Sequence, residues 1–219
     1  MKFILLHNFP QGSEEWLQAR KGRATASEAK NIITPTGKLS KSAIGYMRRL
    51  ARECVIDDPM AFQGNRWTEW GNEFESEARL HFNDAMQLDA QEVGFCVNKE
   101  NPYLGCSPDG LIQDADGNYI AGLEIKCPTV DTHVEYLMDG ILPSEYAVQV
   151  HWSMMVTGIP VWYFISYFPS LNSLILKVEA DDFTDKIKVA ADDFVIQYAV
   201  EREKVLKAIM PQTKQDSLL

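Results

Sequence analysis

Gly105-Cys-Ser-Pro-Asp-Gly-Leu-Ile-Gln-Asp-Ala-Asp-Gly-Asn-Tyr-Ile-Ala-Gly-Leu-Glu-Ile-Lys-Cys-Pro128 is the stretch from which the rest of this chain can be read. Two polar clusters flank Asp116-Gly117, a dipeptide suited to a two-residue hairpin turn with positive φ at both positions. A hairpin folded there matches residues whose numbers sum to 233, so Asp109 falls opposite Glu124 on one sheet face, with Cβ atoms about 5 Å apart. Lys126 points to the same face and falls opposite Ser107, while Leu123 and Ile125 point the other way, into a core.

Two carboxylates this close, beside an ammonium, are costly unless a cation lies between them. Hard oxygen ligands on strands suit Mg²⁺, with Mn²⁺ as a substitute. Lys126 would then hold, or take a proton from, a water that attacks a phosphate. A bare Asp…Glu-x-Lys is a short pattern, and in most sequences it is an acidic hairpin with a salt-bridged lysine. The turn symmetry and the Ser-Pro-Asp-Gly context shift the reading towards a site.

A chain of 219 residues, 46% hydrophobic and 24% charged, is read as one globular domain over 1–210, with 211–219 as a disordered tail. It contains no apolar run approaching ~20 residues, which excludes a membrane span on length. Met1–Leu6 is too short for a signal peptide, and an intracellular location is the default expectation. The cysteines at 54, 96, 106 and 127 lack metal-site spacing and read as buried thiols, with Cys106 and Cys127 near one another across the hairpin.

The net charge of −10 argues against generic nucleic-acid binding, but the charge is unevenly spread. Residues 18–52 carry nine basic side chains against Glu28 alone, a local +8 that leaves −18 for the remainder. Such a segment is either a phosphate-binding face or a set of solvated helix faces.

Along the chain, Ser13 caps a helix to about Lys21, and Thr25-Ala-Ser-Glu28 reads as a capping box opening a second helix. Arg20, Arg23, Thr25 and Ser27 there can form an anion pocket, or simply a well-capped helix. The loop at 34–41 places Lys38 and Lys41 where a nucleic-acid backbone could be touched. Helices are expected at 42–55, 67–86, 130–138, 144–157 and within 181–210, and strands at 92–98, 103–106, 161–168 and 172–178. Glu73, Glu75 and Glu77 flank the apolar stripe of the 67–86 helix, and periodicity does not say which of them faces a site. Gln149 lies on an apolar helix and needs a partner, a DNA base or phosphate being one option. His81 reads as structural.

Lined up, Trp16-x-x-x-Arg20, Thr25-Ala-Ser-Glu28, Trp70-Gly71-x-x-x-Glu75, Cys106-Ser-Pro-Asp-Gly110, Leu123-Glu-Ile-Lys-Cys-Pro128 and Gln149 resemble the phage lambda exonuclease family. These are the YqaJ-type viral recombinases of the PD-(D/E)xK nuclease superfamily. The resemblance implies an α/β, restriction-endonuclease-like core, a central mixed sheet flanked by helices, with N-terminal helical additions. It implies that Asp109, Glu124 and the Ile125 carbonyl ligate Mg²⁺, that Glu75 assists through water, and that Lys126 activates the attacking water. Arg20, Ser27 and Ser107 would hold a terminal 5′-phosphate. Gln149 would belong to a motif shared with RecB-type nucleases, whose tyrosine four residues on is Ser153 here.

By the same resemblance the activity is processive 5′→3′ digestion of one strand of linear duplex DNA to mononucleotides, leaving 3′ overhangs. Double-stranded DNA ends, a homotrimeric ring and a single-strand annealing protein are the implied partners, in the cytoplasm of a phage's bacterial host. In one departure, Thr132 and His133 stand where an arginine can complete the phosphate pocket, so that either His133, Arg23 or Lys38 substitutes or dependence on the 5′-phosphate is weaker. The residue that wedges open the end base pair is sought among Met60, Trp67 and Thr68. An endonuclease of the same superfamily and a non-catalytic DNA-end-binding protein are the competing readings.

Overall fold

The computed structural model describes residues 1–6, 9–56 and 66–210, and of 66–72 only the backbone. The expected helix break at Asp57-Asp58-Pro59 and the expected tail at 211–219 lie outside the described residues. Among the described residues the strands form two sheets, each flanked by helices. In one, β1 (Phe3–Leu6), β4 (Phe95–Asn98), β5 (Leu104–Cys106) and β2 (Ala24–Thr25) follow in the order β1-β4-β5-β2. In the other, β3 (Ala90–Gln91), β6 (Gly110–Gln113), β7 (Tyr119–Lys126), β8 (Val161–Ser166) and β9 (Leu174–Glu179) lie in the order β3-β6-β7-β8-β9. Each sheet is mixed, with one parallel pair, β2–β5 and β7–β8 respectively. The fold is thus the expected α/β type, but the strands expected in one sheet are divided between two.

The division falls at Ser107-Pro108-Asp109. Proline has no N–H for a ladder, and the chain leaves the first sheet at Cys106 and enters the second at Gly110. Ser107 is therefore not opposite Lys126, whose ladder partner is Ser166 on β8. Cys106 pairs with Cys96 across β4–β5, not with Cys127, and all four cysteines are free thiols.

The hairpin reaches the expected register by an unexpected turn. The Asp114 carbonyl accepts from Gly117 N–H at 3.0 Å, and the Asp114 N–H donates to the Asn118 carbonyl at 2.9 Å. Gly117 alone has positive φ, +80°, so the loop is three residues long, not two. That moves the pairing to Gln113↔Tyr119, and an extra residue on β7, Ile120, moves it back. Gly110↔Leu123 and Ile112↔Ala121 then keep the 233 register next to the site.

Among the described residues six α-helices pack around these sheets: α1 (Glu14–Arg20), α2 (Ala43–Glu53), α3 (Arg66–Met86), α4 (Val130–Asp139), α5 (Ser144–Thr157) and α6 (Asp182–Ile209). Ser13 caps α1, its Oγ accepting the Trp16 N–H at 3.2 Å. Residues Ala26–Asn31 form a 3-10 helix, and Thr25 makes no side-chain cap, so the expected capping box is absent. Asp181 and Thr184 do form one, at the start of α6.

The second sheet has unlike faces. Leu123, Ile125 and Ile165 pack with Ala78 and Phe82 of α3. The opposite face, carrying Trp162, meets the larger core that includes Val148, Trp152 and Val156 of α5. Helix α5 is buried on nearly every side, as expected of a helix without a polar face. It touches strands of both sheets, and Trp152 Nε1 donates to the Gly105 carbonyl at 3.2 Å.

Gly122 sits directly beside Trp162, where an added Cβ would come within 2.4 Å of the indole. Gly122→Val is expected to cost about 2 kcal/mol or more through overpacking. Thermal unfolding should show it as a fall in Tm of roughly 5 °C.

Candidate active site

Where β6 and β7 begin to part, three ionisable side chains converge. Glu124, only 1% exposed, points away from the Leu123–Ile125 core face. Its Oε1 accepts from Lys126 Nζ at 2.6 Å and from Gln149 Nε2 at 2.5 Å. Its Oε2 is buried and, among the described residues, has no hydrogen-bond partner. Asp109 precedes the first residue of β6, and its backbone N–H donates to the Leu123 carbonyl at 3.1 Å. Its Oδ2 accepts the Ile125 N–H at 2.6 Å. In an extended strand the N–H and C=O of one residue leave from the same edge. Lys126 C=O bonds Tyr167 across to the β8 side, so the Ile125 C=O leaves on the Asp109 side.

Helix α3 completes the acidic corner. Glu75 is half-buried, Glu73 is exposed, and Glu77 accepts the Tyr167 hydroxyl at 2.5 Å. Glu75 is thus the one of the three that faces Asp109. Burial, then the Asp109 charge, pushes the Glu75 pKa up to about 7. Burial, then Glu124, raises Asp109 to about 7 as well. Glu124 is also raised, by burial first, with Lys126 opposing. For Lys126 burial works against the charge, but Glu124 and Asp109 outweigh it and the net shift is upward.

Arg79, one turn beyond Glu75, was not foreseen. It is 7% exposed, and its guanidinium donates to the Asp109 carbonyl at 2.5 Å and to Glu92 at 2.8 Å. It also lies 3.9 Å from Glu75. The i, i+4 step from Glu75 was visible in the sequence, but a helical Glu–Arg pair is commonly a surface feature.

These donors suit a hard divalent cation. The partnerless Glu124 oxygen and two carboxyls that resist ionisation mark a place short of positive charge. Among the described residues no three His, Cys, Asp or Glu side chains form a ready ligand set. An ion here would rest on Asp109, Glu124, the Ile125 carbonyl and water, as suits Mg²⁺, which keeps several waters.

Two residues upstream of Asp109, a second pocket forms around Arg20. Its guanidinium donates to Ser107 Oγ at 3.1 Å, Ser27 Oγ at 3.3 Å and Thr25 Oγ1 at 3.5 Å. Among the described residues it forms no ion pair. Trp16 Nε1 also donates to Ser107 Oγ, at 2.9 Å, and the Trp16 ring lies 4.2 Å under the guanidinium. The parallel β2–β5 pairing, Thr25↔Gly105, brings residues 25–27 to this place. Arg20, Ser27 and Ser107 are therefore together, and Gln149 meets Glu124.

Other expected contributors are elsewhere. Lys38 and Lys41 are exposed, on a loop whose Ile33, Gly37 and Leu39 line a hollow against the start of α6, and neither bonds to the site residues. None of the three substitutes for the missing arginine joins the pocket. His133 is fully buried, its Nδ1 against Ser166 Oγ at 2.7 Å and its Nε2 against the Asn172 carbonyl at 2.9 Å. Arg23 is spent on the Pro102 and Ala19 carbonyls. Thr132 bonds Thr129. Met60 and the side chains of Trp67 and Thr68, the wedge candidates, lie outside the described residues. The basic segment is also partly neutralised, Arg48 by Glu201 and Arg49 by Glu28 and Glu53.

A mixed sheet carrying paired acids and a lysine on adjoining strands defines a restriction-endonuclease-like fold. Residues 15–160 match the YqaJ-like viral recombinase domain, and the chain belongs to that family. Among solved structures it is similar to an alkaline exonuclease, LHK-Exo, from Laribacter hongkongensis. That match has 27% identity and a TM-score of 0.76, over 90% of this chain and 97% of that one. The same exonuclease in complex with dAMP matches equally. A phage-related exonuclease from Haemophilus somnus 129PT shares the fold, at 18% identity and TM-score 0.60, over 82% of this chain and 96% of that one. No curated protein matches the chain. Among the described residues no helix is long and apolar enough to cross a membrane.

Raised carboxyl pKa values link the site to stability. Asp109 and Glu75 keep protons to about pH 7 in the fold, against ordinary values of 3.8 and 4.5. Their contribution is fully present below those ordinary values and is lost as pH rises through about 7. In chelator, Tm should therefore fall between pH 5 and pH 8, and fall less in Asp109→Asn. Mg²⁺ should raise Tm more at pH 8 than at pH 5, as differential scanning fluorimetry would show.

Proposed function

We propose that this chain is a nuclease of the lambda exonuclease type. It would digest one strand of linear double-stranded DNA from the 5′ end, processively and with Mg²⁺ or Mn²⁺, to mononucleotides, leaving 3′ overhangs for single-strand annealing. The observation that carries the proposal is the spacing of the two pockets on one strand-to-strand link. Ser107 belongs to the Arg20 pocket and Asp109 to the acidic site. Two residues of backbone span at most about 7 Å, within the reach of a single nucleotide unit. A terminal phosphate held at Arg20, Ser27 and Ser107 would place the next phosphodiester beside Asp109 and Glu124. The family membership and the likeness to an alkaline exonuclease, solved also with a mononucleotide, support the same reading.

In this mechanism Asp109, Glu124 and the Ile125 carbonyl would hold the divalent cation, with Glu75 acting through water. When bound, the cation supplies positive charge to the phosphate oxygens and acidifies coordinated water. Lys126, held as an ammonium by Glu124 and Asp109, would orient the attacking water. Gln149 holds Glu124 in place from α5. Arg79 fixes the Asp109 backbone from α3. Arg20, bonded among the described residues to hydroxyls and to no carboxylate, would meet the phosphate as a charge-assisted donor.

A homotrimeric ring that threads duplex DNA and hands its overhang to an annealing protein is part of the proposal. An acidic chain tolerates DNA best if its basic segment faces inward. Gel filtration with light scattering that returned only a monomer at working concentrations would remove the ring.

Linear duplexes with 5′-phosphate, with 5′-hydroxyl and with closed ends are the decisive substrates. Mg²⁺-dependent release of mononucleotides from the open ends, with a covalently closed circle left intact, is expected. Cutting of the circle would instead indicate an endonuclease. Lys126→Ala and Asp109→Asn should each lower kcat by about 10²-fold or more. Arg20→Ala should erase a preference for the 5′-phosphate while leaving slow cleavage of hydroxyl ends.

A further inference from the structure

The Lys126 ammonium is gripped from two sides. One contact is the 2.6 Å bond to Glu124 Oε1. The other is the face of the Tyr146 ring, whose centroid lies 5.1 Å from Nζ. Tyr146 precedes Gln149 by three residues on α5, so the two share one face of that helix. Gln149 bonds the same Glu124 oxygen that Lys126 does. One turn of one helix thus touches both members of the ion pair.

The ring is itself held. It stacks on Phe164 with centroids 5.5 Å apart and planes at 29°. Phe164 is the β8 residue in register with Glu124 in the parallel ladder. On its other side Tyr146 meets Tyr136 edge-on at 6.3 Å, and the Tyr136 hydroxyl donates to the Glu145 carboxylate. Strand β8, helix α4 and helix α5 therefore fix where this π face points.

We propose that Tyr146 is a positioning residue for Lys126, holding the amine at the site by cation–π contact; this rests on the nuclease reading. A lysine ends in a point charge on a flexible four-carbon stem. When the Glu124 charge is engaged elsewhere, the ion pair alone no longer restrains that stem. The ring persists, because its own supports do not involve Glu124 or Asp109. A space-filling role above Phe164 would be met by any apolar side chain of similar size, whereas a cation–π role depends on the electrons of the ring.

The test replaces Tyr146 with Phe, with Leu, and with phenylalanines bearing one, two and three ring fluorines, which weaken the π face at nearly constant shape. Two quantities are read on the full chain. The first is the rate at which an acetyl N-hydroxysuccinimide ester labels Lys126 in chelator, followed by peptide mass spectrometry. The second is kcat and KM on a 5′-phosphorylated linear duplex with Mg²⁺. Labelling is expected to rise, and kcat to fall, stepwise with fluorination, by about three- to ten-fold over the series. KM should stay within about two-fold because the Arg20 pocket is untouched. Tyr146→Leu should be at least as impaired as the trifluorinated ring, and Tyr146→Phe should recover most of the loss. A fluorine series flat in labelling, or a folded Tyr146→Leu chain that labels like the parent, overturns the proposal. If the parent chain degrades no DNA with any divalent cation, the nuclease reading falls, and the labelling series still decides the contact.

Discussion

A buried carboxylate with one oxygen satisfied and the other bare sets the terms for the rest of this structure. Among the described residues, Glu124 has Lys126 and Gln149 on Oε1 and no partner on Oε2. A buried charge left in that state is costly, and removing its ammonium partner would make it more so. The surrounding fold consists largely of devices that keep the arrangement in place. The Ile125 N–H ties down Asp109, Arg79 ties down the Asp109 carbonyl, and α5 brings Gln149 and Tyr146 against the ion pair. Lys126 and Arg79 do not offset the burial of these acids and their mutual repulsion, and Asp109 and Glu75 respond by resisting ionisation.

The passage between the two sheets gives that cluster its context. A continuous strand through Ser107 would have buried its hydroxyl against Lys126. The proline-containing link instead turns Ser107 towards Trp16 and Arg20, in the layer built by the N-terminal segment. Pocket and acids are then separate chemical environments joined by two residues of backbone. One is a guanidinium among hydroxyls over an indole, the other a group of acids with Lys126 among them and Arg79 at their edge. Both sheets contribute to the larger core, and α5, buried almost all round and touching strands of each, keeps them in fixed relation.

Charge follows the same logic at larger scale. Nine basic residues in 35 positions invite the picture of one uninterrupted phosphate-binding face. In the fold Arg48 and Arg49 are paired with acids and Arg23 is bound to carbonyls, so these three serve packing. Among the described residues, Arg20 is the member of the group whose side-chain bonds go to neutral hydroxyls. Hydrogen bonding, more than density of charge, separates a cation available to a ligand from one already used.

The sequence by itself determined whatever depends on short-range periodicity and turn chemistry. That covers the 110–126 hairpin, most of the helices, and the approach of Asp109 to Glu124 and Lys126. Even there the turn differed, and the register survived because a bulge at Ile120 compensated for a longer loop. Singling out Glu75 from Glu73 and Glu77 took the motif, since periodicity sets Glu75 apart from the other two without saying which side meets the site. Only the tertiary structure decided which distant groups meet. Arg79 reaches Asp109 across 30 positions, Arg20 reaches Ser107 across 87, and His133 is closed off by Ser166 and Asn172. Those contacts depend on how two sheets and a buried helix pack together, and packing is a property of whole surfaces that no local stretch of residues encodes.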